Sequence, residues 1–385
     1  MNILLYDLVS YTQKDLIYYL ERAGHHCRNV VYIPGDTERD PFLEHKWNRL
    51  LKEGSYDIVI SFNFFAPIAK ACHENNTKYL AWTYDSPCGI NAVKRNCFDT
   101  TYLFIFDKKE YNDFVKEGIP QVYYLPLAVN TARLDRVVPD RFDKQIFTCD
   151  ISFVGRLYLN NIGRFMEAVS EEDSKKIDAL IEKQRTIYGK NIISEEMTDE
   201  YCKTLLPQLA GSDFNTDTFS PLALRNEVLK EVTRRDRTEL LRRLSKNHAF
   251  TFFSPDPLPE HCEKIKKIDG VNYYTEMPCA FKLSTLNINS SLRSIESAIP
   301  LRALDIMGCG GVLFSAFQPE IDEYFTDGEE CILFRSMDEA VEKADHYLSH
   351  IDKCKDIAKK AHAKIERDFN YPDRIQTMFE TAGLL

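Results

Sequence analysis

No run of about 18 consecutive apolar residues, the length that a membrane-spanning helix needs, occurs in this 385-residue chain. Residues 1–7 also lack the basic segment and small-residue cleavage site of a signal peptide. The 11 cysteines form no CxxC pair and are odd in number, which argues against a zinc ribbon and a disulfide framework. We therefore expect a cytoplasmic protein with reduced thiols and no integral membrane segment.

Positive charge is also scarce, since 49 Lys and Arg face 59 Asp and Glu, for a net charge of −10. A chain with this charge repels nucleic-acid backbones and anionic membrane surfaces, so we expect no nucleic-acid partner. Hydrophobic residues, at 44%, are plentiful enough to build real cores. At about 150 residues per domain, the length predicts two sizeable domains.

Short apolar runs alternate with helical patterns in the amino-terminal half, which is typical of βαβ units and a parallel sheet. We predict strands at residues 2–7, 27–33, 56–62, 78–84, 102–107 and 122–125, and helices at 13–23, 41–51 and 66–74. No GxGxxG motif opens this domain, so the usual dinucleotide fingerprint is missing.

The second half repeats the pattern around a polar, helical excursion at about residues 159–247, which includes a loop at 211–219. Strands are predicted at 150–154, 250–253, 271–274, 285–288, 312–314 and 331–334, and helices at 173–185, 226–244, 300–307, 338–367 and 373–381. We predict a first Rossmann-like domain over residues 1–145 and a second over 146–369, with residues 370–385 packing back on the first.

Five segments in a fixed order carry a family resemblance. They are YDIVISFNFF (56–65), LAWTYDSP (80–87), YLPLAVN (124–130), ISFVGR (151–156) and SAIPLRALDIMGCGGVL (297–313). Together they resemble the GT-B-fold glycosyltransferases of the group typified by the spore maturation protein CgeB, with its accompanying amino-terminal domain. The resemblance spans most of the chain. It implies an α/β protein in which two Rossmann-like domains face each other across a cleft, with a helical insertion in the second.

The resemblance also implies an activity, the transfer of a sugar from a nucleotide-sugar donor to a protein, spore or cell-surface glycan acceptor. The expected donor is a UDP-sugar, held by the second domain. Enzymes of this fold generally use side chains and helix N-termini instead of a metal, and the sequence offers no convincing DxD acid pair. We therefore expect no metal and no resident cofactor, with retention of configuration at the anomeric carbon.

Within the last motif, a helix beginning near residue 298 or 300 places Arg302 and Asp305 at positions i and i+3 of one face. The Asp305 carboxylate suits ribose hydroxyls, and the Arg302 guanidinium suits a diphosphate. Gly310 and Gly311 leave the backbone bare, so that a ligand can approach closely. The alternatives are an ordinary ion pair between the two charged side chains and an ordinary helix C-cap at the glycines.

Gly155 and Arg156 follow a predicted strand, where a tight turn and a cation suit a diphosphate. In related families a Lys often follows this Arg by several residues, but residues 157–161 contain none. A solvated turn is the alternative interpretation of the dipeptide. The substitutes for the missing cation are Lys282, Arg293 and Arg302, of which we rank the last first.

Three residues near predicted strand ends complete the donor-binding candidates: Tyr274, Asn287 and Ser290. The last two offer side-chain donors to phosphate or sugar, and are otherwise ordinary turn residues. Many retaining enzymes of this fold carry two carboxylates separated by seven residues, and here Ser297 occupies the position of the first. Glu296 adjoins it but points about 100° away on a helix. The acid that meets the donor sugar is therefore missing or displaced.

Asp85, directly after a predicted strand, is the candidate acid of the first domain. In an inverting enzyme it is the base that takes the acceptor's proton. In a retaining enzyme the leaving phosphate accepts that proton, and Asp85 only orients the acceptor. Its alternative role is to cap the following turn. The catalytic candidates are thus Asp85, Arg156 and Arg302.

Two other functions remain open. A nucleotide-sugar epimerase converts its donor without an acceptor, and a degenerate module binds nucleotide sugar without chemistry. Ser297 and the missing lysine favour the second of these. The interleaved charges at residues 230–246 predict an exposed helix face, with contact to an anionic acceptor carrier as the alternative.

Overall fold

A computed structural model describes residues 1–209 and 220–385, which form two compact units. The first unit comprises Met1–Thr131 and Lys364–Leu385, and the second comprises Ala132–Ala363. The division therefore falls earlier than the boundary predicted at 145/146, and the chain returns to the first unit before residue 370. The loop predicted at 211–219 lies outside the described residues.

The first unit is built around a parallel sheet. Its strands are β1 (Asn2–Asp7), β2 (His26–Val31), β3 (Ile58–Phe62), β4 (Lys78–Trp82), β5 (Thr101–Ile105) and β6 (Val122–Tyr124). The helices between them are α1 (Gln13–Arg22), α2 (Pro41–Glu53), α3 (Ala66–Glu74), α4 (Ile90–Asn96) and α5 (Lys108–Lys116). The order β2-β1-β3-β4-β5-β6 reverses between β1 and β3. All six predicted strands are confirmed, whereas α4 and α5 were not predicted.

Apolar side chains explain why these segments form a buried sheet. All five residues of β3 are buried, as a parallel strand covered on both faces requires. Tyr6 of β1 packs edge-on against Trp47 of α2 and Phe65, with ring centroids 5.3 and 4.5 Å away. These aromatic contacts hold α2 and the start of α3 against the sheet.

The second unit contains a second parallel sheet and more helices. In chain order its elements are α6 (Thr131–Arg136), α7 (Arg141–Phe147), β7 (Cys149–Val154), α8 (Ile162–Ala168), α9 (Glu171–Arg185), α10 (Ile192–Glu196), α11 (Asp199–Leu205), α12 (Pro221–Leu244), β8 (Phe250–Phe253), β9 (Lys266–Ile268), α13 (Met277–Leu283), β10 (Ser284–Asn289), α14 (Leu301–Gly308), β11 (Leu313–Ala316), α15 (Pro319–Tyr324), β12 (Ile332–Phe334), α16 (Met337–Leu348) and α17 (Ile351–Asp368). The sheet order is β12-β11-β10-β7-β8-β9, so it reverses between β7 and β10.

Helices α8 to α12 form the predicted insertion between β7 and β8 and have a hydrophobic core of their own, which includes Ile181 and Val228. The prediction of an exposed face over residues 230–246 is wrong in part. Glu231, Asp236 and Arg237 are buried, because α12 packs against α9 on one side and α16 on the other. Some of the interleaved charged side chains therefore need hydrogen-bond or ion-pair partners inside the protein.

The strand predicted at residues 271–274 is also wrong. Gly270 adopts a left-handed conformation with φ +106°, and the Asn272 side-chain oxygen accepts the N–H groups of Tyr274 (2.9 Å) and Thr275 (3.2 Å). These bonds fold the segment into a turn before α13. The edge strand is instead β9. It contains two lysines, so it lacks the apolar pattern from which the other strands were predicted.

The carboxyl-terminal helices also differ from the prediction. Residues 338–367 form α16 and α17 instead of one helix, and at the break the Ser349 hydroxyl donates back to the Asp345 carbonyl (3.0 Å). The last helix, α18 (Tyr371–Thr381), packs on α1, where Tyr371 stacks on Tyr19 with ring centroids 5.5 Å apart. This helix is therefore part of the first unit.

The two glycines after α14 meet different constraints, which predicts unequal responses to substitution. A Cβ at Gly311 would stand 2.8 Å from Asn287 Nδ2 and 2.9 Å from the Phe281 carbonyl oxygen. Because backbone cannot yield easily, Gly311→Ala should lower the free energy of unfolding by about 1–3 kcal/mol. Urea denaturation measures this loss.

The control is Gly163→Ala in α8, where nothing lies within 4 Å of the new Cβ and the backbone is helical. This substitution should leave stability unchanged or raise it by about 0.5–1 kcal/mol. Equal effects of the two substitutions would contradict the crowding assigned to Gly311.

Candidate functional site

The carboxyl ends of β7 and β10 mark the point where the order of the second sheet reverses, and open parallel sheets bind ligands at such points. Gly155 and Arg156 follow β7 directly, and Ser290 follows β10. A Cβ at Gly155 would stand 3.8 Å from Nη1 of Arg237, a residue of α12. This is an ordinary van der Waals distance, so the Arg237 guanidinium lies beside this turn.

Arg237 links the two strand ends. Its Nε donates to the Ser290 carbonyl oxygen at 3.0 Å, its Nη2 donates to the same oxygen, and its Nη1 donates to the Arg156 carbonyl. The guanidinium also lies 5.2 Å from the Phe153 ring centroid and 4.7 Å from that of Tyr158. Arg237 is only 7% exposed, so the fold fixes this cation in place.

The acid that acts on this buried charge, Asp236, does so without forming an ion pair with it. In the described part of the chain, neither Arg237 nor Arg302 forms an ion pair with a carboxylate. Burial lowers the pKa of Arg237, the Tyr158 hydroxyl raises it, the nearby charge of Arg302 lowers it, and the charge of Asp236 raises it. An arginine keeps its charge under such conditions. An anion placed beside these two cations would therefore be stabilised.

The adjacent acid, Asp236, already serves two other arginines. Arg185 Nε donates to its Oδ1 at 3.0 Å, and Arg293 donates to its Oδ2 from Nε at 2.9 Å and from Nη2 at 2.6 Å. Arg293, one of the predicted substitute cations, is thus engaged in holding the loop after β10 against α12. Asp236 is therefore not the ion-pair partner of Arg237.

Arg156 is held by Asp256, which lies after β8. The Arg156 Nε is 2.7 Å from Asp256 Oδ1, and Asp256 Oδ2 accepts the Leu157 N–H at 2.6 Å. Asp256 is buried, but the Arg156 side chain is 62% exposed and can still reach a ligand. A buried aspartate thus orients the predicted cation and its loop.

The predicted helix that carries Arg302 and Asp305 is confirmed as α14. Arg302 is half-buried, with Nη1 2.6 Å from Met277 Sδ and the guanidinium 5.6 Å from the Phe281 ring centroid. Asp305 is only 1% exposed, and its Oδ1 accepts the Tyr273 hydroxyl at 3.0 Å. Contact between Asp305 and a ribose therefore requires Tyr273 to move.

Gly310 and Gly311 form the turn between α14 and β11. Gly310 has φ +74°, a left-handed conformation that favours glycine. The structure thus gives both glycines a structural reason to be glycine, one by conformation and one by crowding. Their approach to a ligand stays a prediction.

Three of the other donor-binding candidates are engaged within the second unit. The Lys282 ammonium donates to the carbonyl oxygens of Leu134 (2.8 Å) and Val137 (2.6 Å). The fully buried Asn287 amide accepts from the Ser152 hydroxyl at 2.6 Å and donates to backbone carbonyls, so it does not present donors at the surface. Tyr274 lies beside the Arg133 guanidinium, 5.2 Å away.

Glu296 adjoins Ser297, which occupies the position of the acid expected to meet the donor sugar. Residues 294–300 are not helical, so helical spacing does not set the direction of Glu296, and the 100° argument against it fails. Glu296 lines a small cavity with Ser291 and Gln318 at the ends of β10 and β11. Ser297 instead faces a buried acid, since its hydroxyl donates to Glu320 Oε1 at 2.6 Å.

In the first unit, Asp85 is exposed at the end of β4 and is held by Asn63, which follows β3. The Asn63 amide donates to Asp85 Oδ2 at 2.8 Å, and its oxygen accepts the N–H groups of Tyr84 (2.7 Å) and Asp85 (3.0 Å). Asn63 has φ +62°, which asparagine tolerates well. The neighbouring strand therefore orients this carboxylate.

Arg237 is the residue that sequence reasoning missed. The sequence named Lys282, Arg293 and Arg302 as substitutes for the missing lysine, whereas Arg237 lies on α12, the last helix of the insertion. One available signal was the helical pattern at 226–244, which reaches the following strand β8, but its mixed charges indicated a solvated face.

The described residues hold no group of three or more His, Cys, Asp and Glu side chains arranged to bind a metal ion. Among the same residues, no helix has both the length and the apolar character needed to span a bilayer.

Known structures share this fold along its whole length. HepE of Anabaena, in complex with UDP and glucose, aligns over 100% of both chains with 12% identity and a TM-score of 0.55. Sucrose-phosphate synthase of Thermosynechococcus elongatus aligns over 99% of this chain and 98% of its own, with 9% identity and a TM-score of 0.58. A UDP-forming trehalose-phosphate synthase of Burkholderia xenovorans gives 11% identity and a TM-score of 0.54 over the same shares. The fold is therefore GT-B, as expected.

Part of the chain also matches a family model. Residues 234–380, from α12 to α18, match the model described as "Glycosyl transferase-like". No curated protein matches the chain in sequence. Residues 234–380 of this GT-B-fold chain are thus similar to glycosyl transferase-like proteins, and they include Arg237, Arg302 and Asp305.

The Asp256 contacts predict how the loop after β7 responds to mutation. Asp256→Ala removes a buried acceptor from the Leu157 N–H and should lower the free energy of unfolding by about 1–3 kcal/mol. Asp256→Asn keeps one carbonyl oxygen for this N–H but loses the charge that pairs with Arg156, so it should cost less. Thermal melting of both variants measures the difference, and equal losses would show that the N–H acceptor is unimportant.

Proposed function

We propose that this protein is a glycosyltransferase that transfers a sugar from a nucleoside-diphosphate donor, with the diphosphate bound at the carboxyl ends of β7 and β10. The observation that carries the proposal is the buried Arg237 guanidinium between these two strand ends, which forms no ion pair with a carboxylate of the described residues. Arg302 adds a second cation close enough to lower the pKa of the first. A dianionic leaving group is the ligand that two fixed cations suit best.

The nucleotide in this proposal is UDP. HepE binds UDP, and the trehalose-phosphate synthase forms it, on the same fold. Asp305 is the residue proposed for the ribose hydroxyls, after the Tyr273 hydroxyl has moved away. Arg156, oriented by Asp256, is proposed as a third cation near the diphosphate.

The proposed reaction breaks the bond between the anomeric carbon and the diphosphate oxygen while negative charge grows on the departing UDP. Arg237, Arg302 and Arg156 stabilise that charge, so we infer that catalysis needs neither a metal nor a resident cofactor. With retention, the proton of the acceptor hydroxyl passes to the leaving phosphate. Asp85 then orients the acceptor, held by Asn63.

The proposal also includes the class of acceptor. The resemblance to the CgeB-like group supports a protein, spore or cell-surface glycan, in a bacterial cytoplasm. The acid for the donor sugar is proposed to be Glu296, which lies beside Ser291 and Gln318. These assignments depend on the resemblance more than on the cations.

The proposed function predicts slow hydrolysis of UDP-sugars without an acceptor, because water replaces the acceptor hydroxyl. Purified protein incubated with UDP-, GDP-, CDP- and dTDP-sugars should release free UDP and sugar only from the UDP compounds. Chromatography of nucleotide and sugar separates the outcomes. An altered sugar on an intact nucleotide would identify an epimerase instead, and stabilisation by UDP without either product would identify a binding module.

Arg237 provides a direct test of the diphosphate site. Arg237→Gln removes the buried charge, so the affinity for UDP should fall by roughly tenfold or more, as expected for a lost charge-assisted hydrogen bond of about 1.5–3 kcal/mol. Affinity for uridine, which lacks phosphates, should not change. Calorimetric titration with both ligands gives the comparison.

The matched control is Arg243→Gln on the same helix, since Arg243 pairs with Asp338 instead of the strand ends. This variant should bind UDP like the native chain. A folded Arg237→Gln protein with unchanged UDP affinity would overturn the diphosphate site.

A further inference from the structure

A second buried ionisable group lies in the first unit, at the start of α5. Asp107 follows β5 and caps α5, with Oδ1 accepting the N–H groups of Lys109 (2.9 Å) and Glu110 (3.2 Å). This cap fixes the first turn of the helix. Glu110 is thereby placed against residues 86–88, the segment that follows Asp85.

The Glu110 carboxyl group holds that segment. Its Oε1 accepts the Cys88 N–H, and the nearby Ser86 hydroxyl lowers the pKa of the carboxyl group. Glu110 is only 9% exposed, and its Oε2 has no hydrogen-bond partner among the described residues. A carboxyl group in this setting is costly to ionise, because one oxygen would carry charge without water or a donor.

The charges around Glu110 add to this cost. Asp107 at the cap and Asp113 one turn along α5 both face it with negative charge, and the adjacent Cys88 thiol is neutral because burial raises its pKa. Two lysines of the helices on either side of this segment are engaged elsewhere, since Lys109 of α5 pairs with Asp113 and Lys94 of α4 pairs with Glu117.

These surroundings shift the titration of Glu110 in one direction. Burial first and the Asp107 charge second raise the pKa of Glu110 to about 8, although the bonds from Cys88 and Ser86 lower it. At neutral pH the group is therefore mainly a neutral acid. Above pH 8 the carboxylate is charged, and we expect the burial cost and the repulsion from Asp107 to outweigh the bond from the Cys88 N–H, so that the side chain turns toward water and releases residues 86–88.

We infer that Glu110 is a positioning residue that fixes residues 86–88, and with them Asp85, through the Cys88 N–H while its carboxyl group is neutral. Asp85 is then held from two sides, by Asn63 at the end of β3 and by Glu110 from α5. The consequence for catalysis depends on the proposed role of Asp85, but the link between Glu110 and this segment does not.

Amide hydrogen exchange at Cys88 tests the link without any enzyme assay. In the native protein the protection factor of the Cys88 N–H should fall about tenfold between pH 7 and pH 9, as one group titrates near pH 8. In Glu110→Gln, whose amide oxygen still accepts this N–H, protection should not change with pH. In Glu110→Ala it should be low throughout. A constant protection factor in the native protein would overturn the inference.

The matched control is Glu117→Gln at the end of α5, where the side chain is exposed and paired with Lys94. It should reproduce the native exchange profile. Stability gives a second readout if Glu110→Ala does not fold. The raised pKa makes native stability fall as pH rises from about 4.5 to 8, so the melting temperature of Glu110→Gln should rise relative to native over this range and stay level above it. A melting-temperature difference that does not change with pH would contradict the neutral acid.

Activity separates this inference from the proposed function. If both hold, native transfer falls above pH 8, whereas Glu110→Gln keeps its rate there. If no variant transfers sugar but the exchange profile is as expected, the proposed function fails and the positioning role stands. If transfer occurs and Glu110→Gln has the native alkaline decline, the positioning role fails alone.

Discussion

The constraint on which the second unit depends is a buried guanidinium that forms no ion pair with an acid in the described part of the chain. The transfer of such a charge from water is costly unless polar groups replace the lost hydration. Arg237 meets this requirement with two backbone carbonyls and two aromatic faces. Carbonyls and rings stabilise the cation without cancelling its charge. The fold therefore keeps a positively charged side chain at the edge of the second sheet where its strand order reverses.

The corresponding edges of the two sheets differ in charge. At or just beyond the strand ends of the first unit lie Asp7, Asp85 and Asp107. Beyond the strands of the second unit lie Arg156, which pairs with Asp256, and the buried Arg237 of α12, which binds backbone carbonyls. Acidic and amide groups suit ligands that donate hydroxyl hydrogens, whereas fixed guanidinium groups suit phosphates. The resemblance implies that the first domain binds the acceptor and the second binds the donor. The charges within each unit, taken separately, suit these expected ligands.

Much of the fold was predictable because burial leaves a clear pattern. The run IVISF identifies β3, since a strand covered on both faces must be apolar. The pattern failed where hydrogen bonding instead of burial decides the conformation, as at Asn272, whose side chain forms a turn from residues with strand character. The site was less predictable still. Helical spacing gave Arg302 and Asp305, but it excluded Glu296 on the assumption of a helix that begins only at Leu301.

The insertion is the reason why sequence spacing could not reveal Arg237, and it is also what positions this residue. The first half of α12 packs in the core of the insertion through Leu224, Val228 and Val232, whereas its last turns pack in the core of the sheet through Leu240 and Leu244. Arg237 lies between the two groups. Both cores therefore fix the axial position and rotation of the helix at the guanidinium, and a shift of about 1.5 Å, one residue's rise, would break its bonds to the strand ends. The helical insertion is thus part of the machinery of the proposed site, and the separation in sequence is a consequence of that support.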